Sequence, residues 1–396
     1  MGKDYIESIP RKVKDAEIAS NSIDHTTIAD AFIKTDSGDP AASNDTGEGY
    51  VVGSLWVNTT SGQQFICTDI TAEDATWINQ EGDDINPPTP HQGSTKGFMM
   101  GGIDHPGASV DHIQTTPFAS DANSSDFGEF AHLGGRDFIG TAVPTAKDYQ
   151  WAFGGGPSEV DVIERFGNST PYSGTDWGNL TEARQYHQTA SDGTSRGVSM
   201  GGRNSGDTHK DDIETFSFTS PGNATDSTYE LTQALSGGAS AEDDTYATIL
   251  NGWYAPAVVN TMNRFTKASI ADATDWGEAA TTRAWSHGCN DTTYGYSVGG
   301  QPDSNANIER TSFSSAGGST DVGELGLVIG NQGTHGMSST THGYASGGDT
   351  PSAPGGDNHI RKFAFSSPTS GTDVGEMTIS NAPSDGKLYG VVGSQH

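Results

Sequence analysis

Trp253 and Tyr254 stand side by side in a sequence otherwise rich in small polar residues, and they are the pair best suited to hold a ligand. Aromatic rings stack on the apolar faces of sugars, and both side chains keep a polar handle for a hydrogen bond. They occur in Asn251-Gly252-Trp253-Tyr254-Ala255-Pro256, where other stretches of the chain have a double glycine and a polar loop. Loops on rigid scaffolds are where recognition is usually carried. The competing reading is that the two rings pack against a neighbouring element.

Residues suited to catalysis are scattered by comparison. The 12 histidines include no His-x-His or His-x-x-x-His spacing, so no metal set is expected. Cys67 and Cys289 lie far apart and make neither a disulfide framework nor a zinc site. The acidic stretch Asp207-Thr208-His209-Lys210-Asp211-Asp212 lacks the Asp-x-Asp-x-Asp-Gly order of a calcium loop. Arg184 and Arg283 each follow an aspartate by eight residues, and arginines locked to a repeat are expected to serve structure. The expectation is a binding protein rather than an enzyme, with no catalytic residue, cofactor or metal, and with Trp253 and Tyr254 as the ligand-binding candidates.

The elements that position these residues follow from composition and periodicity. The chain has 396 residues, 53 of them glycine, and a formal net charge of −31. That charge disfavours nucleic acid and anionic membrane surfaces. No apolar run approaches the ~18 residues of a membrane span, and the start Met1-Gly2-Lys3-Asp4-Tyr5 has no apolar signal core. A protein made in a reducing compartment is expected. Single aromatic and β-branched residues sit in short runs bounded by Gly, Asp, Asn and Ser, the pattern of many short strands.

From residue 95 onward one pattern returns six times. A short apolar strand ends in a double glycine at Gly101-Gly102, Gly154-Gly155, Gly201-Gly202, Gly299-Gly300 and Gly347-Gly348, and in Asn251-Gly252 in the degraded copy. A polar loop follows, then a strand opened by Ile113, Ile163, Ile213, Met262, Ile308 and Ile360. Phe118, Phe166, Phe216, Phe265, Phe313 and Phe363 come next. Asp126, Asp176, Asp226, Asp275, Asp321 and Asp373 then open an Asp-x-Gly turn, in which Thr228 replaces the third glycine. Two markers keeping one register of about fifty residues predict a β-propeller. The terminal stretch Leu388 to Gly393 adds one apolar strand more than six equal units need. It is expected to pair with residues near 95–118 and close six blades, in preference to a seventh blade completed by the middle region.

Before the repeat, basic residues disappear between Lys34 and Lys96, and Asn86-Pro87-Pro88-Thr89-Pro90 reads as a stiff linker. This divides the chain into a segment 1–36, a small β module with linker over 37–90, and the propeller over 91–396. Val13, Ile18, Ile23, Ile28 and Ile33 recur every five residues, a spacing of neither helix nor strand. Such a series cannot build a core within one chain, so an elongated stalk shared between copies is expected. In the module, 53–58, 64–69 and 75–78 predict three strands around Trp56, Phe65 and Trp77.

The double glycines resemble the kelch repeat, although the Tyr and Trp that family carries beyond them are not consistently placed here. The Ser/Thr-x-Asp-x-Gly segments are similar to the Asp-box of sialidases without its trailing Thr-Trp. The closer likeness is to virion proteins of marine bacteriophages, including those of cyanophages. It rests on Tyr296 to Gly300, Ile213-Glu214-Thr215-Phe216-Ser217-Phe218 and Thr320-Asp321-Val322-Gly323-Glu324-Leu325. Gly53-Ser54-Leu55-Trp56-Val57-Asn58 resembles a small module of such proteins, and Ile23-Asp24 to Ile28-Ala29-Asp30 their stalks. The resemblance implies an all-β virion protein, a tail or head fibre made in the host cytoplasm. It would attach to other virion proteins through residues 1–36, assemble as a homo-oligomer (trimer favoured), and present a kelch-like propeller to a host surface glycan or protein. A propeller glycosidase or oxidase acting on host polysaccharide is the enzymatic alternative, and a virion decoration without a receptor is the structural one.

Overall fold

The computed structural model describes residues 33–44, 46–72, 75–79, 92–104, 107–131, 134–142, 149–168, 174–302, 306–326, 336–348, 357–378, 388–389 and 391–395. The five-spaced series up to Ile28, and with it the expected stalk, lies outside them. The chain forms two compact units, residues 1–89 and 90–396. The described part is nearly all β: its one helical element is the single 3-10 turn Thr46–Glu48, and no helix is long and apolar enough to cross a membrane.

In the first unit, Leu55–Asn58, Gln64–Asp69 and Thr76–Asn79 form an antiparallel sheet, joined at its edge by Ile33–Asp36 running parallel to Leu55–Asn58. Strand alternation sends Trp56, Phe65, Cys67 and Trp77 to one face, where they make the buried cluster. The two indole N–H groups donate to the carbonyls of Gly38 (2.8 Å) and Asn44 (3.2 Å). The same alternation puts Leu55, Ile66 and Ile78 in one cross-strand row on the other face. Leu55 there remains 40% exposed and Ile66 38%.

The second unit is a series of four-stranded antiparallel sheets, one per repeat. The second sheet is Gly140–Ala142, Tyr149–Phe153, Val162–Gly167 and Thr175–Asn179. The third is Gln188–Ser191, Arg196–Met200, Asp212–Ser217 and Thr225–Glu230, and the fourth Ser240–Glu242, Tyr246–Ile249, Thr261–Thr266 and Thr274–Glu278. His287–Asn290, Tyr294–Val298, Asn307–Ser312 and Thr320–Glu324 make the fifth; Met337–Ser338, His342–Ser346, His359–Ala364 and Ser367–Glu376 make the sixth. The first sheet is completed from the other end of the sequence: Val392–Gln395 pairs antiparallel with Lys96–Met100, which leads to His112–Pro117 and Ser125–Glu129. The late strand therefore does what its surplus predicted, but as a first strand and not as another copy of the strand before a double glycine.

Repeat markers and structure keep one register. Ile113, Ile163, Ile213, Met262, Ile308 and Ile360 open equivalent third strands, each fully buried. Both faces of the sheets are covered, because one apolar cluster lies between each consecutive pair. Phe98, Phe127 and Phe166 bridge the first and second sheets, and Trp151 and Phe216 the second and third. Val198 and Phe265, then Leu250 and Phe313, then Tyr296 and Phe363 continue the series. Met337, Tyr344 and Met99 return it from the sixth sheet to the first. The first strands likewise touch one another in a closed cycle. Sheets five and six also join through the bridge Glu324↔Ser370 into eight strands. The end strands of that sheet meet where Asn290 N–H donates to Ser338 Oγ (3.0 Å), so it nearly closes on itself.

One expectation needs correction. The Asp-x-Gly segments do not reverse the chain; they lie inside the fourth strands as bulges, with the register shift opposite them at Ile163/Glu164, Met262/Asn263 and Ile308/Glu309. The local chemistry is as read: Asp176, Asp275 and Asp321 each accept from the N–H two residues on, at 3.1, 2.9 and 3.2 Å. Glycine is required there for the neighbour, since a Cβ on Gly277 would lie 2.0 Å from the carbonyl oxygen of Gly317 in the next sheet.

Candidate functional site

The second to fifth sheets are each entered through a short stretch that hydrogen-bonds to the residue just past the double glycine. Gln185 pairs with Arg203, Ser236 with Trp253 and Ala284 with Gln301. The next residue in each stretch turns into the first strand with positive φ: Tyr186 at 58°, Gly237 at 63° and Trp285 at 54°, with Phe138 at 48° in the preceding repeat. Their backbones are strung together across sheets. Tyr186 N–H donates to Phe138 O (3.2 Å), Gly237 N–H to Tyr186 O (2.7 Å) and Trp285 N–H to Gly237 O (2.6 Å). Residues about fifty apart in sequence thus converge at one end of the first strands.

The side chains make a continuous aromatic group. Phe138 and Tyr186 have ring centroids 4.3 Å apart, Tyr186 and Trp285 6.3 Å, Trp285 and Trp253 5.3 Å, and Trp253 and His209 4.9 Å. Phe138 is buried, whereas Tyr186, Trp253, Trp285, Arg203 and His209 are half-buried. The Arg203 guanidinium sits 4.9 Å from the Tyr186 ring and 6.0 Å from Trp253, and pairs with Asp207 at 2.8 Å. His209 Nδ1 lies 3.0 Å from Ser236 Oγ, and burial together with Arg203 lowers its pKa, so the imidazole is neutral near pH 7. A cavity of about 390 Å³ opens beside Gln301, lined also by Asn260, Thr281, Thr282 and Pro302. Such a surface offers ring faces, N–H and imidazole groups, which suits binding through stacking and hydrogen bonds.

Of the two candidates read from sequence, Trp253 belongs to this group, on the hairpin Gly252–Tyr254 with Ala257–Val259. It packs on neighbouring repeats and still keeps one side open. Tyr254 is 47% exposed at the tip of the same hairpin. Sequence reading missed Tyr186, Trp285, Arg203 and His209. For Tyr186 and Trp285 the signal was the aromatic two residues after each repeat-locked arginine, in Arg184-Gln185-Tyr186 and Arg283-Ala284-Trp285; Arg203 and His209 carried none.

The arginines themselves are sunk between sheets. Arg184 pairs with Glu214 (3.1 Å) and Asp212 (2.6 Å), Arg283 with Glu309, and Arg136 with Glu164, all three guanidiniums being buried. The glutamates also accept backbone N–H groups from the preceding sheet: Ala131 to Glu164 (2.9 Å), Thr181 to Glu214 (2.8 Å) and Ala280 to Glu309 (3.1 Å). Burial pushes Glu309 up, but Arg283, Ser319 and Thr281 outweigh it and hold the carboxyl below its ordinary range. Burial pushes the Cys289 thiol up to about 12, which leaves it protonated and unreactive. In the acidic stretch, Asp207 and Asp212 serve arginines, and Lys210 pairs with Glu182. Asp111, His112 and Glu129 have ligand atoms within 4.8 Å of one another, a grouping made by pairing His112 opposite Glu129. It is partly exposed, and nothing else at it points to a cation. No protein-family model matches the sequence, and no curated protein matches it.

Proposed function

We propose that this chain is a virion fibre protein whose second unit is a six-bladed, kelch-like β-propeller that contacts a host surface, without catalysis. The observation that carries the architecture is the closed cycle of first-strand contacts, with an apolar cluster at every junction including the sixth to the first. Closing a ring removes the exposed edges that an open series of sheets would leave. Recognition is supported by the half-open aromatic group at one end of those strands. The virion assignment is supported by the likeness of the module, the repeat and the five-spaced N-terminal series to phage fibre proteins. Residues 1–36 would attach to the particle. Self-association is supported by the row of exposed Leu55 and Ile66 and half-buried Ile78 beside the strand that begins at Ile33.

Immunogold labelling of virus particles with antibody against residues 90–396 tests the reading. Label on fibres of intact particles is the expected result. Particles that carry none of this chain, while infected cells contain it, would remove the virion assignment.

A further inference from the structure

We infer that Tyr186, Trp253 and Trp285, with Arg203 and His209 at their side, form a binding platform for an uncharged saccharide. The inference deepens the host-surface reading and rests on it only for the source of the saccharide.

The tryptophans of this chain fall into groups. Trp56, Trp77, Trp177 and Trp276 each donate their indole N–H to a backbone carbonyl, at 2.8, 3.2, 2.6 and 3.1 Å, and Trp151 is fully enclosed in the core. These are structural residues with satisfied or sequestered donors. Trp253 and Trp285 differ: among the described residues neither N–H has a protein partner, and neither belongs to the buried unsatisfied groups. Both donors therefore reach solvent, and the two rings that carry them are adjacent. An aromatic face beside a free N–H fits a sugar ring, which presents C–H groups on one face and hydroxyls at its edge.

The backbone points the same way. Positive φ in a bulky aromatic is uncommon and strained. Gly237 at the equivalent place shows that glycine fits there, and a Cβ on it would meet Trp285 at 3.0 Å. Tyr186 and Trp285 thus hold a costly conformation although neither ring is fully buried. Charge narrows the ligand. Arg203 is matched by Asp207, His209 is neutral, and the whole chain carries −31, so a polyanion would be repelled.

The test uses the full chain on an array of neutral oligosaccharides, together with uronic-acid and sulfated versions of the same compounds. Wild type should retain neutral compounds, and Trp285→Gly and Tyr186→Gly should lose at least tenfold in apparent affinity. Glycine accepts the left-handed backbone, and far-UV circular dichroism confirms folding. A readout independent of variants is oxidation by N-bromosuccinimide, from which a bound neutral oligosaccharide should protect two indoles of the wild type. Undiminished binding by both variants, a preference for the sulfated compounds, or no protected indole overturns the platform. Adhesion to host cells separates the two readings. Variants that have lost saccharide binding yet adhere like wild type leave the platform standing and overturn it as the means of host recognition. Saccharide binding by a wild type that does not adhere overturns host recognition and leaves the platform.

Discussion

Leu235 and Asn263 occupy, in the fourth sheet, the places that Arg184 and Glu214 hold in the third. The equivalence is set by hydrogen bonds: Gly155 N–H donates to Arg184 O (2.8 Å) and Gly202 N–H to Leu235 O (2.7 Å), while Glu214 and Asn263 lie opposite Asp226 and Asp275. Where the arginine is absent its glutamate is absent too. Asn263 Oδ1 still accepts from Thr232 N–H (3.0 Å), as Glu214 accepts from Thr181, so the bond between sheets is kept without the charge. A buried carboxylate is tolerated only with its cation.

The fifth sheet can therefore be converted to the pattern of the fourth. Arg283→Leu alone strands Glu309 and should cost about 3–5 kcal/mol. Adding Glu309→Asn should recover more than half of that loss. Urea denaturation of the single and double variants measures both, and a double variant no better than the single would contradict the pairing logic.

The strand Val392–Gln395 is held on both sides as well as by its own sheet. Thr141 Oγ1 donates to Gly393 O (3.0 Å), and Ser338 N–H to Gln395 Oε1 (3.2 Å). Deleting residues 388–396 should lower the melting temperature of the whole second unit by roughly 10 °C or more, since it exposes two apolar clusters. A melting curve unchanged by the deletion would show that this strand is not the clasp.

His187 is fully buried and stacks on Phe153 at 5.3 Å; burial first, then Arg184, lower its pKa to about 3. Above the unfolded value of ~6.5 both states are neutral there, and its contribution to stability is complete. Between that pH and about 3 the unfolded chain takes up the proton and the folded one does not. Stability should fall with acidification by roughly 1.4 kcal/mol per pH unit from this group. His187→Gln should flatten the decline. Equal slopes for variant and wild type between pH 6 and 4 would refute the assignment.

Gly277 has φ 123° and faces the Gly317 carbonyl of the next sheet. Gly277→Ala should destabilise by about 2–4 kcal/mol, through strain and a forced shift of the neighbour. Gly222→Ala, which meets no atom within 4 Å, should cost under ~1 kcal/mol. Thermal melts of the two variants decide, and similar losses would mean the close approach is not the reason for the glycine.

The repeat was legible from residue order alone: isoleucines and aspartates march in one register because both are fixed by local strand chemistry, an apolar third-strand position and an Asx bond two residues on. Trp56, Phe65 and Trp77 were legible as the module core for the same reason, since strand alternation is a local rule. That the Asp-x-Gly segments are bulges emerged from the packing of the sheets, because the glycine answers to a carbonyl in another sheet. That packing alone brought Tyr186, Trp253 and Trp285 together, from three repeats whose neighbourhood depends on how far each sheet turns from the last. It alone matched Arg283 with Glu309 and Val392 with Met100. These are contacts between residues tens to hundreds of positions apart, and no local period encodes which distant partner a buried charge or a free strand edge will meet.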